Sequence, residues 1–185
     1  MKKKIIIGII GEQAGGKGAA ADFIRKHYGG QRLTVSSVLR RTLDSLHIDA
    51  TRDNLINLAL VLKKGFGSDV LMKAMLKEVE NEDSDLIIVD GFRMPGDPDV
   101  FRKEYEKSFF LIYVTADLRV RYERSVKRGE KVGESDAAFE EFAAKESLET
   151  ERLIAEVGKT ADFTIVNNGD AGELEEKILE VMKKI

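Results

Sequence analysis

The sequence lacks cysteine, has few prolines and carries no large excess of charge. Its 185 residues include no cysteine and only 2 prolines. The absence of cysteine excludes a disulfide framework, a thiolate metal site and a cysteine nucleophile. The formal net charge of -3 gives no general attraction to polyanions, so we do not expect nucleic acid as a partner. No apolar stretch is long enough to span a bilayer, so we expect a cytoplasmic protein with no membrane partner.

The composition that remains is that of one globular domain. Hydrophobic residues make up 43% of the chain and charged residues 34%. These fractions favour a soluble, helix-rich domain over a disordered chain. A length of 185 residues suits one domain with a full core and is short for two. We therefore predict a single domain over residues 1–185.

Strand and helix patterns alternate along the chain. Short runs rich in β-branched residues predict five strands, at Lys4–Ile10, Arg32–Val35, Leu86–Asp90, Phe109–Thr115 and Phe163–Val166. Apolar periodicity and caps predict helices at Ala19–Tyr28, Ser37–Leu46, Thr51–Lys64, from a cap at Ser68 to about Asn81, from a cap at Asp97, and at Asp117–Arg128, Ala137–Val157 and Glu173–Lys184. This alternation predicts an α/β fold with a parallel sheet and helices on both faces. Ligands of such sheets bind beyond the carboxyl ends of the strands.

A glycine-rich segment follows the first predicted strand. Residues 11–17 fit the pattern G-x-x-x-x-G-K between a strand and a helix, the context that a phosphate-binding loop (P-loop) requires. Its glycines let backbone N–H groups turn toward phosphate oxygens, and the next helix adds its positive dipole. Lys17 supplies a mobile charge for the β- and γ-phosphates of a nucleotide. The predicted ATP-binding residues of this segment are Gly11, Ala14, Gly15, Gly16, Lys17, Gly18 and Ala19.

Four further segments resemble one family of kinases. Ser36–Arg40 resembles the GD-x-LR segment of adenylate kinases, and Asp90–Arg93 resembles their DGFPR with the proline missing. Arg124–Glu130 resembles the RLLKRGE that opens the adenylate-kinase lid, and Ala161–Gly169 resembles the end of dephospho-CoA kinases. The sequence is therefore similar to the nucleoside-monophosphate kinases. Within them it resembles the archaeal-type adenylate-kinase-related or dephospho-CoA-kinase-like proteins.

The resemblance implies an architecture and a set of ligands. It implies a P-loop NTPase fold whose five parallel strands lie in the order 2-3-1-4-5. It implies an acceptor-binding helical lobe at about residues 37–81 and a lid at about residues 129–136. It also implies ATP as the phosphoryl donor, Mg²⁺ as a cofactor, and small nucleotides as the partners.

The resemblance assigns the acceptor and metal side of the site to four residues. Arg40 and Arg93 would hold the acceptor phosphate, with Ser37 in the same acceptor-binding segment. Arginine suits this role because its planar, permanently charged fork binds phosphate in bidentate fashion. Asp90, at the end of a buried strand, would hold Mg²⁺ through water. Only one of the neighbouring Arg40 and Arg41 needs to be functional, so this assignment stays open between them.

The donor side falls on the predicted helix at Asp117–Arg128 and on the last strand. By the resemblance, Arg124 would lie along the adenine and Arg128 would reach the phosphates. Asn168 lies in the loop that borders the adenine in dephospho-CoA kinases. A solvated charged helix face is the alternative interpretation of Arg124 and Arg128. The predicted catalytic residues are Lys17, Asp90, Arg93 and Arg128.

The sequence departs from the family at three positions. Ala19 stands where adenylate kinases have threonine after GKG, so the hydroxyl that ligates Mg²⁺ is missing. In the lid, Glu134 replaces an arginine and Lys145 replaces a second one. An arginine at the transferring phosphoryl can raise the rate by a factor on the order of 10³ or more in GTPases. These departures put fast catalysis in doubt, and they leave nucleotide binding unaffected.

Taken together, the motifs predict an ATP-dependent phosphotransferase that acts on a nucleotide-like acceptor. An alternative acceptor is dephospho-CoA, whose hydroxyl would need a general base, and Asp90 is the strand-end acid nominated for that role. An alternative of another class is a slow ATPase that works as a nucleotide-binding switch or assembly factor. A protein partner is expected only under that second interpretation.

Overall fold

The protein is built around one parallel sheet. A computed structural model describes residues 4–129, 136–146 and 149–185. The strands are β1 Ile5–Ile10, β2 Gln31–Thr34, β3 Leu86–Asp90, β4 Phe109–Thr115 and β5 Phe163–Val166. All neighbouring strands pair in parallel, and their order across the sheet is β2-β3-β1-β4-β5. The predicted fold class, strand number and strand order are confirmed.

Helices connect the strands and cover both faces of the sheet. They are α1 Lys17–Tyr28, α2 Val35–Ser45, α3 Arg52–Phe66, α4 Val70–Asn81, α5 Asp97–Tyr105, α6 Leu118–Lys127, α7 Asp136–Glu146, α8 Glu149–Gly158 and α9 Ala171–Met182. The one helix predicted over residues 137–157 corresponds to α7 and α8. Within the three described ranges, no helix combines the length and the apolar character that crossing a membrane requires.

The central strand β1 separates two apolar cores. Successive side chains of a strand point to opposite faces, so Ile6 and Ile10 enter one core while Ile7 and Ile9 enter the other. The first core includes buried residues of α2, α4, α5 and α8, and the second includes those of α1 and α9. Burial on both faces explains why β1 is a continuous run of isoleucine around one glycine. Because β1 is the central strand, its carboxyl end and the loop after it lie at the middle of the sheet's carboxyl edge.

Two helix starts differ from the prediction. The boundary residue before α4 is Asp69, with no side-chain cap, so the cap predicted at Ser68 is wrong. The helix α5 already includes Asp97 and starts after Gly96, so Asp97 is not its cap. The Asp97 carboxylate instead accepts hydrogen bonds from the backbone N–H groups of Arg93 and Met94, at 2.8 and 2.9 Å. These bonds fix the turn that carries Arg93.

The helices α2, α3 and α4 pack together beside β2. The inner side of α3 packs an apolar stripe of Leu55, Leu58, Ala59 and Leu62 against the first core. No residue of α3 is fully buried, and its outer side exposes Ile56, Leu60 and Val61. This group of helices corresponds to the segment predicted as the acceptor-binding lobe.

Candidate active site

The loop between β1 and α1 is held close to the end of β4. A Cβ atom at Gly11 would overlap the carbonyl oxygen of Val114, so only glycine fits there. The backbone then turns through the left-handed region at Ala14, with φ 60°, and at Gly16, with φ 111°. Such a curl points successive N–H groups toward one centre, which is the requirement for cradling phosphate. The segment predicted as a P-loop therefore has the backbone that this role needs.

A buried asparagine directly after β5 supports the loop. Asn167, 4% exposed, donates a hydrogen bond from Nδ2 to the carbonyl oxygen of Gly15 at 3.0 Å. A Cβ atom at Gly16 would overlap the same amide nitrogen. The neighbouring Asn168, predicted to bind ATP, is exposed and accepts a hydrogen bond from the Asp117 N–H at 2.8 Å. Its contact with the nucleotide remains a prediction. The two asparagines are adjacent in sequence, and only the alternation of β5 distinguishes the buried one.

Arg124 of α6 holds the same region in place. Its guanidinium donates to the carbonyl oxygen of Asn167 at 2.9 Å and to that of Gly169 at 2.8 Å. Both acceptors lie in the segment predicted to border the adenine. The structure therefore gives Arg124 a bracing role beside the P-loop, and its contact with the adenine remains a prediction.

The α6 helix also carries two other arginines along the same side. Arg121, Arg124 and Arg128 are spaced three and four residues apart, which places them on one helix face. Arg128 is exposed at the end of the helix, whereas Arg121 is buried and donates from Nε to the Ala116 carbonyl oxygen at 2.9 Å. The buried member, Arg121, was not predicted. Of the lid predictions, Glu134 and the Lys145 side chain lie outside the described part of the chain.

One cation, Lys17, and one carboxylate, Glu12, lie at the loop itself. Lys17 is the first residue of α1, and its Nζ donates to the carbonyl oxygen of Glu12 at 3.4 Å. The Glu12 side chain is 6% exposed and accepts a hydrogen bond from the Tyr113 hydroxyl through Oε1. Its other oxygen, Oε2, is buried without a hydrogen-bond partner in the described residues. Glu12 was missed because a variable loop position gives no motif signal.

Burial and the hydrogen bond to Glu12 raise the pKa of Tyr113 to about 12 from a usual value of 10.0. Between these two pH values the unfolded chain has lost the tyrosine proton while the folded protein keeps it. The unfolded state then binds fewer protons, so the free energy of unfolding falls as pH rises through this window. Below pH 10 this group contributes no pH dependence.

We expect Tyr113→Phe to remove this fall in stability. After allowance for partial solvent screening, the wild type should lose about 1 kcal/mol more than the variant between pH 9 and pH 11. Urea unfolding of both proteins at the two pH values measures the difference. The slopes are compared rather than the absolute stabilities, because the variant also leaves Glu12 without its partner at every pH. Equal slopes would contradict the assignment.

The strand-end aspartate is engaged in an ion pair. Arg32 of β2 contacts Asp90 of β3 through Nη2 and Oδ2 at 2.6 Å, and its Nη1 lies 3.2 Å from Asp22 Oδ1 on α1. The Nε of Arg32 is buried without a hydrogen-bond partner in the described residues. Sequence reasoning gave Arg32 no role, because nothing in a single strand shows which side chain lies across from it.

The residues at this place fit a protein-bound Mg²⁺ poorly. Neither Gly18 nor Ala19 offers the hydroxyl that normally ligates the ion at a P-loop. Asp90 gives one carboxylate oxygen to Arg32. Over the described ranges, no group of three or more histidines and acidic residues is placed to hold a metal ion. A Mg²⁺ ion here would depend on the nucleotide's own phosphates and on water, and the role of Asp90 through water remains a prediction.

The predicted acceptor residues lie on α2 and after β3. Arg93 is exposed on the turn fixed by Asp97. Arg40 is exposed and makes one long contact, to the Ala50 carbonyl oxygen at 3.4 Å, whereas Arg41 forms an ion pair with Glu78 at 2.7 Å. This difference favours Arg40 over Arg41 as the residue available to a ligand.

Ser37 has a structural task at the start of α2. Its hydroxyl donates to the Thr34 carbonyl oxygen at 2.6 Å, and its N–H donates to the Thr34 side chain at 3.0 Å. These two bonds close the first turn of the helix on the last residue of β2. Contact between Ser37 and an acceptor remains a prediction.

Comparison with known proteins agrees with this geometry. A family model described as an AAA domain matches residues 11–143. The UPF0200 protein of Methanocaldococcus jannaschii is 30% identical over 165 residues, which cover 88% of this chain and 81% of that protein. The chain belongs to the UPF0200 family. The UPF0200/UPF0201 protein of Archaeoglobus fulgidus is 26% identical over 182 residues, and the match spans 97% of the UPF0200 chain but 55% of that relative.

Solved structures share the fold of this UPF0200 chain. A gluconokinase from Sinorhizobium meliloti superposes with a TM-score of 0.61 and 13% identity, covering 100% of this chain and 94% of the gluconokinase. At that identity the likeness shows the fold alone. The UPF0200 chain therefore has a P-loop kinase-like fold, a fold that supports nucleotide binding and phosphotransferase chemistry.

Proposed function

We propose that this protein is an ATP-dependent phosphotransferase of the nucleoside-monophosphate kinase type, acting on a nucleotide-like acceptor. The observation that carries the proposal is the P-loop backbone between β1 and α1, and a set of cations on other elements supports it. Lys17 lies at the loop, Arg40 and Arg93 belong to α2 and the turn after β3, and Arg124 and Arg128 belong to the end of α6. Phosphoryl transfer depends mainly on positioning and on positive charge near the phosphate oxygens, which such a set of residues supplies.

In the proposed reaction, an oxygen of the acceptor attacks the γ-phosphorus of ATP in line. The new bond forms as the bond from the γ-phosphorus to the oxygen shared with the β-phosphate breaks, and ADP leaves. Lys17 and Arg128 would neutralise the donor phosphates, while Arg40 and Arg93 would hold the acceptor. The lid predicted at residues 129–136, of which 130–135 lie outside the described part of the chain, would exclude water and so limit hydrolysis.

The acceptor group favoured here is a phosphate. A hydroxyl acceptor such as that of dephospho-CoA needs a general base within hydrogen-bond reach. The base nominated for that role, Asp90, already gives one oxygen to Arg32 at 2.6 Å. A phosphate acceptor needs cations instead, and Arg40 and Arg93, the two residues predicted to hold it, are both exposed.

A second candidate function is a slow ATPase that acts as a nucleotide-binding switch or assembly factor. The observations that favour it are the missing hydroxyl at Gly18 and Ala19 and the ion pair on Asp90. Both weaken the support for fast transfer and leave the loop backbone intact. A steady ATPase rate without any acceptor, raised by a protein partner, would distinguish this switch from a kinase.

A coupled assay for ADP tests the proposal. The purified protein is given ATP and Mg²⁺ with AMP, CMP, UMP, GMP, their deoxy forms or dephospho-CoA, and each rate is compared with the rate without acceptor. ADP formation that requires one of the monophosphates supports the kinase and names its substrate class. A requirement for dephospho-CoA moves the assignment to a hydroxyl acceptor. ATP binding without acceptor-dependent turnover favours the switch.

Arg40→Ala should raise the KM for the acceptor by about tenfold or more and leave the KM for ATP near its wild-type value. The reason is the loss of charged hydrogen bonds to the acceptor phosphate, each worth about 1.5–3 kcal/mol. Steady-state kinetics with each substrate varied in turn measures both constants.

The neighbouring Arg41→Ala is the matched control for this prediction. It removes an exposed ion pair with Glu78, which should cost less than about 1 kcal/mol of stability and leave both KM values unchanged. A larger effect of Arg41→Ala on the acceptor KM would transfer the role to Arg41 and contradict the assignment to Arg40.

A further inference from the structure

The ion pair between Arg32 and Asp90 occupies a place that matters for nucleotide binding. Asp90 is the last residue of β3, next to the P-loop strand β1, where it pairs in register with Ile9. The register of β2 with β3 places Arg32 beside Ile88 and Thr34 beside Asp90. Because side chains alternate along strands, Arg32 and Asp90 lie on the same face of the sheet. That face is covered by α1, the helix that begins at Lys17.

The second ion pair of Arg32 is with the side of α1 that also carries Gly18. Its other partner, Asp22, lies four residues after Gly18, so both positions belong to one side of the helix. A Cβ atom built on Gly18 meets no atom within 4 Å. There is room for a side chain at that position, and the chain provides none. A permanent cation thus lies beside the Asp90 carboxylate and is paired with the helix that carries Gly18 and Ala19.

We propose that this protein binds its nucleoside triphosphate without contributing a side-chain ligand to Mg²⁺. The guanidinium of Arg32 then provides, next to Asp90, the positive charge that Mg²⁺ would otherwise provide. The inference rests on the proposed function, since it requires that the P-loop binds ATP. An arginine remains charged at every physiological pH, so it competes with a metal for Asp90 under all conditions. The affinity for ATP should then be nearly independent of Mg²⁺.

The experiment measures the dissociation constant of ATP by isothermal titration calorimetry, once with Mg²⁺ and once with EDTA. The wild type should show values within about threefold of each other. The double variant Gly18→Ser with Arg32→Gln restores the hydroxyl and frees Asp90, and it should bind ATP about tenfold more tightly with Mg²⁺ than without. A ratio of that size lies within the usual range for two ligands coupled on one protein.

Two single variants separate charge from structure. Arg32→Lys keeps the cation beside Asp90 and should retain the wild-type ratio, while Asp22→Asn removes only the exposed partner and should also retain it. Thermal unfolding of every variant shows that it is folded at the temperature of the titration. A merely structural role for Arg32 would lower the affinity equally in Mg²⁺ and in EDTA, without changing their ratio.

The outcomes distinguish this inference from the proposed function. Wild-type ATP binding that weakens more than about tenfold in EDTA overturns the inference and leaves the kinase proposal in place. A double variant with no preference for Mg²⁺ also overturns it. Absence of ATP binding under both conditions overturns the proposed function and the inference together.

Discussion

Replacing Lys17 with alanine is expected to lower kcat/KM for ATP-dependent phosphoryl transfer by about 100-fold or more. Lys17 begins α1, and its ammonium group lies over the loop, 3.4 Å from the Glu12 carbonyl oxygen. In the proposed reaction it stabilises charge that develops on the transferring phosphoryl group. Removing one such donor from a site of this kind typically costs a factor of about 10²–10³ in rate. The coupled ADP assay with the best acceptor measures the effect.

The control for Lys17→Ala is Lys26→Ala on the same helix. Lys26 is exposed in the last turn of α1, so its removal should leave the rate unchanged. Calorimetric titration shows whether the Lys17 variant still binds ATP, which separates lost binding from lost catalysis. A wild-type rate of turnover by Lys17→Ala would contradict both the kinase proposal and the switch alternative, because both depend on the same loop.

The regular elements of the fold could be predicted because each carries its own local signal. Three of the strands have the predicted bounds, Leu86–Asp90, Phe109–Thr115 and Phe163–Val166. The first two are largely buried and read as continuous apolar runs. The third is an edge strand with a single buried residue, and its β-branched residues mark it. Helix ends carry a weaker signal because neighbouring residues compete as caps. The last helix starts at Ala171 rather than at Glu173, because Asp170 caps it by accepting from the Glu173 N–H at 3.0 Å.

The P-loop could be predicted for the same reason, since its glycines and lysine lie within a few residues of one another. The side chains that support it could not. Asn167, directly after β5, contacts the loop at Gly15. Glu12 lies in the loop and contacts Tyr113 of β4, and Arg32 of β2 contacts Asp90 at the end of β3. Their roles depend on which strand lies next to which and on the register between them. A single sequence contains that information only through the resemblance, which covers none of these three contacts.

The ion pair on Asp90 and the missing hydroxyl at Gly18 and Ala19 concern the same end of the P-loop. A P-loop that binds Mg²⁺ directly gains from a hydroxyl on α1 and from a free carboxylate on β3. Here neither Gly18 nor Ala19 carries a hydroxyl, and the Asp90 carboxylate is paired with the guanidinium of Arg32. Under the proposed binding of ATP without a protein metal ligand, these two features belong to one altered site. Neither feature involves the predicted acceptor arginines, Arg40 and Arg93. Acceptor-dependent formation of ADP therefore still distinguishes a fast phosphotransferase from a slow switch.

Two glycines of the P-loop, only two residues apart, should respond to alanine in opposite directions. Gly16→Ala is expected to destabilise the protein by about 3 kcal/mol and to abolish ATP binding. Its backbone has φ 111°, and a Cβ atom there would overlap the Asn167 amide that supports the loop. A left-handed conformation costs about 1–2 kcal/mol for a residue with a side chain, and overpacking typically costs about 1–3 kcal/mol more.

Gly18→Ala is expected to stabilise the protein by up to about 1 kcal/mol. Gly18 lies inside α1, and a Cβ atom there meets nothing within 4 Å, so alanine gains helix propensity without a clash. Urea unfolding of both variants at neutral pH measures the two changes. Adding Asn167→Ala to Gly16→Ala should recover only the part of the loss that comes from the overlap, because the strain of the positive φ remains. Full recovery in that double variant would show that the loop backbone is unstrained at Gly16, and equal responses at Gly16 and Gly18 would contradict the P-loop geometry itself.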